Sequence, residues 1–148
     1  MGIKDEENKY PLSEIIENLE MQSSEIKYYF DKLENKFVFT MEGYDDDEEN
    51  EKLLKAVNDR KRFVPLPSEY ELNEYEMMEK FTTLQKEEIQ KVLFKCLNGK
   101  GIFRRFKDKL FDLDIREDWF AFKNEQLKVV ASDWVVEENL IDRFEVEI

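Results

Sequence analysis

The stretch EIKYYFDKLENKFVFTM, residues 25–41, decides the fold. Ile26, Tyr28 and Phe30 alternate with Lys27, Tyr29 and Asp31, and Phe37, Phe39 and Met41 alternate with Val38 and Thr40. A period of two belongs to strands, and the short polar interval between the runs predicts a β-hairpin. Asn35 is the residue expected to turn left-handed there, because Asn tolerates positive φ better than most. Tyr29 sits on the polar phase, so a half-exposed strand tyrosine is expected, with a ligand contact as the alternative.

On both sides of the hairpin the period lengthens to that of helices. Upstream, Leu12, Ile15, Ile16 and Leu19 repeat at i, i+3, i+4, i+7, which predicts a helix from Pro11 to about Gln22, where Ser23 and Ser24 break the pattern. Residues 1–10 are polar and read as a flexible tail. Downstream, residues 45–51 (DDDEENE) hold six acids in seven positions. Contiguous acids without a central glycine do not make a calcium loop. They suit the positive end of a helix dipole, and Leu53, Leu54 and Val57 give that helix a narrow apolar face. Phe63-Val64-Pro65-Leu66-Pro67 is extended, as a third, edge strand or a rigid connector.

Ser68–Glu71 and Asn73–Glu76 have capping-box spacing, ahead of a helix burying Met77 or Met78, Phe81 and Leu84. A further helix follows on Ile89, Val92, Leu93, Cys96 and Leu97, with Gly99 as its stop. Asp114–Glu117 is a third box, opening a long helix through Trp119, Phe120, Leu127, Ala131 and Trp134. Residues 139–148 fit either a returning strand or a packed tail. The expected architecture is therefore α+β: about five helices on a small two- or three-stranded antiparallel sheet, in a single domain over 11–148.

Composition narrows the chemistry. The 148 residues contain no histidine and one cysteine. Imidazole-based nucleophilic catalysis and imidazole–zinc sites are thus excluded, as is an internal disulfide. Cys96 falls in the apolar rhythm of its helix and reads as a small core residue. Mean hydropathy is -0.71 and no apolar run approaches the ~18 residues of a membrane span. The N-terminus lacks an apolar signal core, and Glu6 spoils a myristoylation pattern. A cytoplasmic location is expected, with no membrane partner, no metal and no cofactor.

Charge is uneven. The chain carries -13 overall, yet NGKGIFRRFKDKL (98–110) sets Lys100, Arg104, Arg105, Lys107 and Lys109 against Asp108. That segment is +4, so the remainder carries -17. Gly99 and Gly101 fit an anion-holding turn at a helix start, or simply the punctuation between two helices. On the helix that follows, Phe103 and Phe106 fall on one stripe with Leu110 and are expected to point inward. The cations Lys100, Arg104, Arg105 and Lys107 then serve either as internal ion-pair partners or as the docking patch for an anionic partner. With 36 acids and nothing to single out one of them, an enzyme is not expected.

The block FRRFKD (103–108), followed by DIREDWFAFKNEQLKVVASDWVVEENLI, resembles the C-terminal signature of the bacterial uncharacterised protein family 0158, in which GRGAFRRFKD precedes a Trp-aromatic-x-Phe helix and a second Trp. EIKYYFDKLENKF and FVPLPSEYELNEYEMMEKF resemble its hairpin and its Pro-Ser…Tyr…Met…Phe segment, so the likeness covers about residues 12–140. Lys100 replaces the family's usual Arg, Ile102 its Ala, Asn35 a Gly, and Lys123-Asn124 an Arg-Asp pair. The resemblance implies a bacterial cytosolic protein and brings no catalytic residues with it. The expectation is a protein of unknown function, a non-enzymatic binding or regulatory module using the basic helix. A weak RNA- or single-stranded-DNA-binding protein using the same helix is the alternative, disfavoured by net charge.

Overall fold

A computed structural model describes residues 9–44 and 46–146, so most of the expected tail (1–8), Asp45 and the last two residues of the 139–148 stretch lie outside the described residues. In chain order the elements are helix α1 (Leu12–Met21), strands β1 (Ile26–Asp31) and β2 (Lys36–Met41), helix α2 (Glu48–Ala56), strand β3 (Phe63–Pro65), a single helical turn Glu69–Leu72, and helices α3 (Glu74–Thr83), α4 (Glu87–Cys96), α5 (Ile102–Asp112) and α6 (Arg116–Glu137). Among the described residues the class is α+β, with six helices longer than one turn where about five were expected, and a three-stranded antiparallel sheet.

The elements group into two compact units. One holds the described residues up to Leu72 together with those from Lys128 onward. Its sheet has the order β2-β1-β3, with Ile26 opposite Met41, Asp31 opposite Lys36, and Phe30 opposite Val64. Asn35 does turn left-handed, at φ 55°. On one face of β1, Phe30 is fully buried among the rings of Phe37, Phe144 and Tyr10, at 5.2, 5.0 and 6.3 Å. On the other face Tyr29 is buried with Val57 and Phe63, and Val38 and Leu53 pack against them. Tyr29 is therefore a core residue and not half-exposed. Strict alternation implies one wet face, but the acid-started helix α2 and its C-terminal Val57 close that face as well. Asp47 starts α2 by accepting from the N–H groups of Glu49 and Asn50 at 3.0 and 3.3 Å.

Asp31, on the same face, is buried and takes a fork of two 2.9 Å bonds from Arg62 Nε and Nη2. Its Oδ1 also accepts from the Leu33 and Glu34 N–H groups, closing the hairpin turn. Asn50 finishes the outer edge of the sheet: its Oδ1 accepts from Met41 N–H at 2.8 Å and its amide donates to Met41 C=O at 2.7 Å. A side chain here copies the pairing a fourth strand would offer.

The last stretch packs back on this unit. Asn139, at φ 59°, ends α6, and Leu140 N–H bonds Val135 C=O at 2.8 Å, a Schellman stop. Phe144 then forms a parallel bridge with Tyr10, whose N–H and C=O bond Arg143 C=O and Glu145 N–H, each at 2.9 Å. Trp134 stacks edge-on to Phe144 at 5.8 Å and donates Nε1–H to Pro65 C=O at 2.9 Å. Tyr10, placed in the tail by sequence, is part of this aromatic cluster.

The other unit, Asn73–Leu127, holds α3 to α5 and the first turns of α6. Phe81, Phe106 and Trp119 meet edge to face, at 5.3 to 6.4 Å. Met77 and Met78 are both buried, as are Leu93, Cys96 and Leu110, whereas Leu84 is exposed. The Ser68–Glu71 box is reciprocal, at 3.0 and 3.1 Å. Asp114 instead takes a left-handed φ of 57° and closes α5 with Ile115 N–H on Leu110 C=O at 3.0 Å. Lys123 pairs with Glu74 at 2.6 Å.

Candidate functional site

Between α4 and α5 the chain reverses through Asn98–Gly101. Gly99 (φ 88°) and Gly101 (φ 66°) both lie in the left-handed region that other residues enter only with strain. A Cβ on Gly101 would meet nothing within 4 Å, so it is the left-handed conformation, not space, that favours glycine there. At Gly99 a Cβ would stand 3.6 Å from Arg105 Nη2. That contact reveals what Arg105 does. Its guanidinium folds back and donates to the carbonyls of Cys96, at 3.1 Å, and Asn98. These are groups that the end of α4 leaves without helical partners. Arg105 is a cap on the preceding helix, held there by the turn that the two glycines permit.

Arg104 points elsewhere. Its side chain is 90% exposed and its one ion pair among the described residues, to the exposed Asp108, is 4.0 Å long. Such a pair contributes ~0–1 kcal/mol. Lys100 and Lys107 are exposed, and neither has an ion pair among the described residues. Lys109 is half-buried and lies 3.8 Å from Asp112.

The buried seam of α5 corrects the expected stripe. Phe106 and Leu110 are fully buried, and Ile102 is partly so. The seam thus follows the i, i+4 ridge 102–106–110, and Phe103, off that ridge in the first turn, is 46% exposed rather than inward. Phe103, Lys107 and Phe111 form the neighbouring i, i+4, i+8 ridge. Phe111 is 67% exposed. At the start of α6 the Arg116 guanidinium lies 5.9 Å from the Phe111 ring and 5.6 Å from that of Phe120, itself 52% exposed. Phe103, Arg104, Lys107, Phe111, Arg116 and Phe120 therefore make a strip of alternating rings and cations within this unit.

Of the four cations singled out from sequence, Arg104 and Lys107 share this outer face, Lys100 stands in the turn before it, and Arg105 is diverted to the α4 carbonyls. Phe111, Arg116 and Phe120 were missed. Their signal was the spacing of Arg116 and Phe120, four apart, with Phe111 just upstream. Of the aromatic and tryptophan landmarks, Phe106 and Trp119 are core of this unit, and Trp134 is core of the other.

Two open clefts, of about 500 and 580 Å³, lie among the described residues of the first unit. The former is lined by Tyr28, Tyr29, Tyr70 and Arg60, and the latter by Val38, Phe39, Leu53 and Arg62. Among their charged groups, Glu71 is engaged in the Ser68 box and Arg62 on Asp31. The hydrogen bonds from Arg62 hold the Asp31 carboxyl below its ordinary 3.8, outweighing the opposing effect of burial. That is the reverse of what a general acid requires.

No described helix is long and apolar enough to cross a membrane. A family model described as an uncharacterised protein family, UPF0158, matches residues 10–148. No curated protein and no solved structure matches the chain.

Proposed function

This chain belongs to the uncharacterised protein family UPF0158, and for it we propose a non-enzymatic role as a cytosolic binding or regulatory module that docks an anionic partner on the outer face of α5. The supporting observation is the split between the two adjacent arginines. Arg105 is used internally, while Arg104 and Lys107 are left in water with at most one weak ion pair among the described residues. In a molecule with -17 outside the segment, internal acids are plentiful. Cations that nonetheless stay unneutralised are available to something else.

Phe103 supports a second reading. A ring 46% exposed beside Arg104 and Lys107 restores the stacking platform that single-stranded nucleic acid needs. Binding of polyglutamate and of oligo(dT), each at about 50 and 200 mM salt, tests both. The module reading expects salt-sensitive polyglutamate binding that Arg104→Glu/Lys107→Glu abolishes. Equal binding by wild type and the double variant contradicts it.

A further inference from the structure

We infer that the aromatic–cationic strip of α5 and the start of α6 is a docking surface for an acidic amphipathic helix supplied by another protein. This rests on the anionic-partner reading and enlarges it, because half of the strip is apolar and half lies beyond the basic block.

Charge selects the sign of the partner. Among the described residues Arg104, Lys107 and Arg116 form no close ion pair on this face; the Arg104–Asp108 contact of 4.0 Å is the nearest. The apolar half selects its class. Phe103, Phe111 and Phe120 are all between 46% and 67% exposed, although the fold has room to bury Phe106 and Trp119 a few residues away. Aromatic side chains and arginine are the residues enriched at the centres of protein interfaces, where they carry most of the binding energy. From Phe103 to Phe111 the ridge runs eight residues, roughly 12 Å along the helix. That is about two turns of a facing helix, which would place its apolar stripe on the rings and its acids on the flanking cations.

A nucleic acid fits less well. Arg116 lies over both Phe111 and Phe120, at 5.9 and 5.6 Å, so one face of each ring already carries a cation. Bases stack on flat ring faces, whereas aliphatic side chains make non-directional apolar contacts and need no free face. A polyphosphate also carries a negative charge every few ångströms, and the acidic remainder of the chain repels it along its length. A short peptide needs acids only where Arg104, Lys107 and Arg116 stand.

The test is fluorescence anisotropy with a synthetic helix of about 18 residues, leucine on one face and glutamate on the other. Its lysine-for-glutamate counterpart and oligo(dT) serve as controls. Wild type is expected to bind the acidic peptide, and Phe103→Ser/Phe111→Ser and Arg104→Gln/Lys107→Gln each to weaken it by about tenfold or more, with melting temperatures near wild type. If the charge variant loses binding and the phenylalanine variant does not, the amphipathic partner is wrong while the anionic reading stands. If neither variant loses binding, both are wrong, as they are if wild type ignores the acidic peptide. Tighter binding of oligo(dT) than of the peptide overturns the inference in favour of nucleic acid. Concentration-dependent self-association lost in the phenylalanine variant overturns it in favour of a second copy of this chain.

Discussion

Arg104 and Arg105 are chemically identical neighbours, and the structure gives them opposite fates that a melting experiment can separate. Arg105→Ala removes the donors that serve the carbonyls of Cys96 and Asn98 at the end of α4. A fully buried charge-assisted bond is worth ~1.5–3 kcal/mol, but these carbonyls lie near the surface and water takes over part of the duty, so roughly 0.5–1 kcal/mol each is appropriate. The variant should therefore lose about 1–2 kcal/mol, or roughly 3–6 °C in Tm for a chain of this size. Arg104→Ala removes only an exposed pair of 4.0 Å and should change stability by less than ~0.5 kcal/mol. Both changes remove one positive charge from an acidic protein, so any general charge effect is common to the two and cancels in the comparison. Thermal unfolding followed by circular dichroism reads the difference. Arg105→Lys should recover only part of the loss, since one ammonium lacks the fork that spans two carbonyls. Equal melting of Arg104→Ala and Arg105→Ala, or a larger drop for Arg104→Ala, would refute the assignment.

Other consequences concern the first unit. Asp31→Asn should cost about 1–3 kcal/mol at neutral pH, because the fork from the part-exposed Arg62 to the buried carboxylate loses its charge. The Asp31 carboxyl titrates below its ordinary 3.8 when folded, so its contribution is complete above that value and fades as pH falls through the lowered one. Denaturation across this range should show wild type and variant converging in acid; a gap independent of pH would rule this out. Asn50→Leu strips Met41 of both edge partners and should cost ~1–3 kcal/mol, with faster amide exchange at Met41. Unchanged exchange there would show that the bonds of 2.8 and 2.7 Å do not persist in solution. Phe144→Ala opens a hole beside Phe30 and Trp134 and should lower stability by ~3–5 kcal/mol in urea titrations; a loss under ~1 kcal/mol would mean that the C-terminal segment is not part of the core.

Elements with a long, regular signal were legible in the sequence. The period-two run gave the hairpin, and the left-handed Asn35 followed from its residue type. What periodicity misjudged was which surfaces stay wet. Tyr29 is on the polar phase of β1, yet α2 covers it, and nothing local to residues 25–31 announces a helix twenty residues on. The same limit governs α5. Phe103 and Phe106 are three apart and either fits an inward stripe; the choice falls to Ile102, which continues the 106–110 ridge and leaves Phe103 outside. Arg104 and Arg105 differ by a 100° step around the helix, and only the returning end of α4 decides which one finds carbonyls. The undecided C-terminal stretch depended, up to residue 146, on Tyr10 meeting Phe144, a contact across more than 130 residues that no local pattern encodes.

The most direct measurement is an amide-shift titration by NMR of the labelled protein with the acidic amphipathic peptide. The largest perturbations are expected at Phe103, Arg104, Lys107, Phe111, Arg116 and Phe120, with Arg105 and the β-sheet little changed. Shifts centred on the acidic start of α2 or on the clefts of the first unit, or none at saturating peptide, would contradict a docking role for α5.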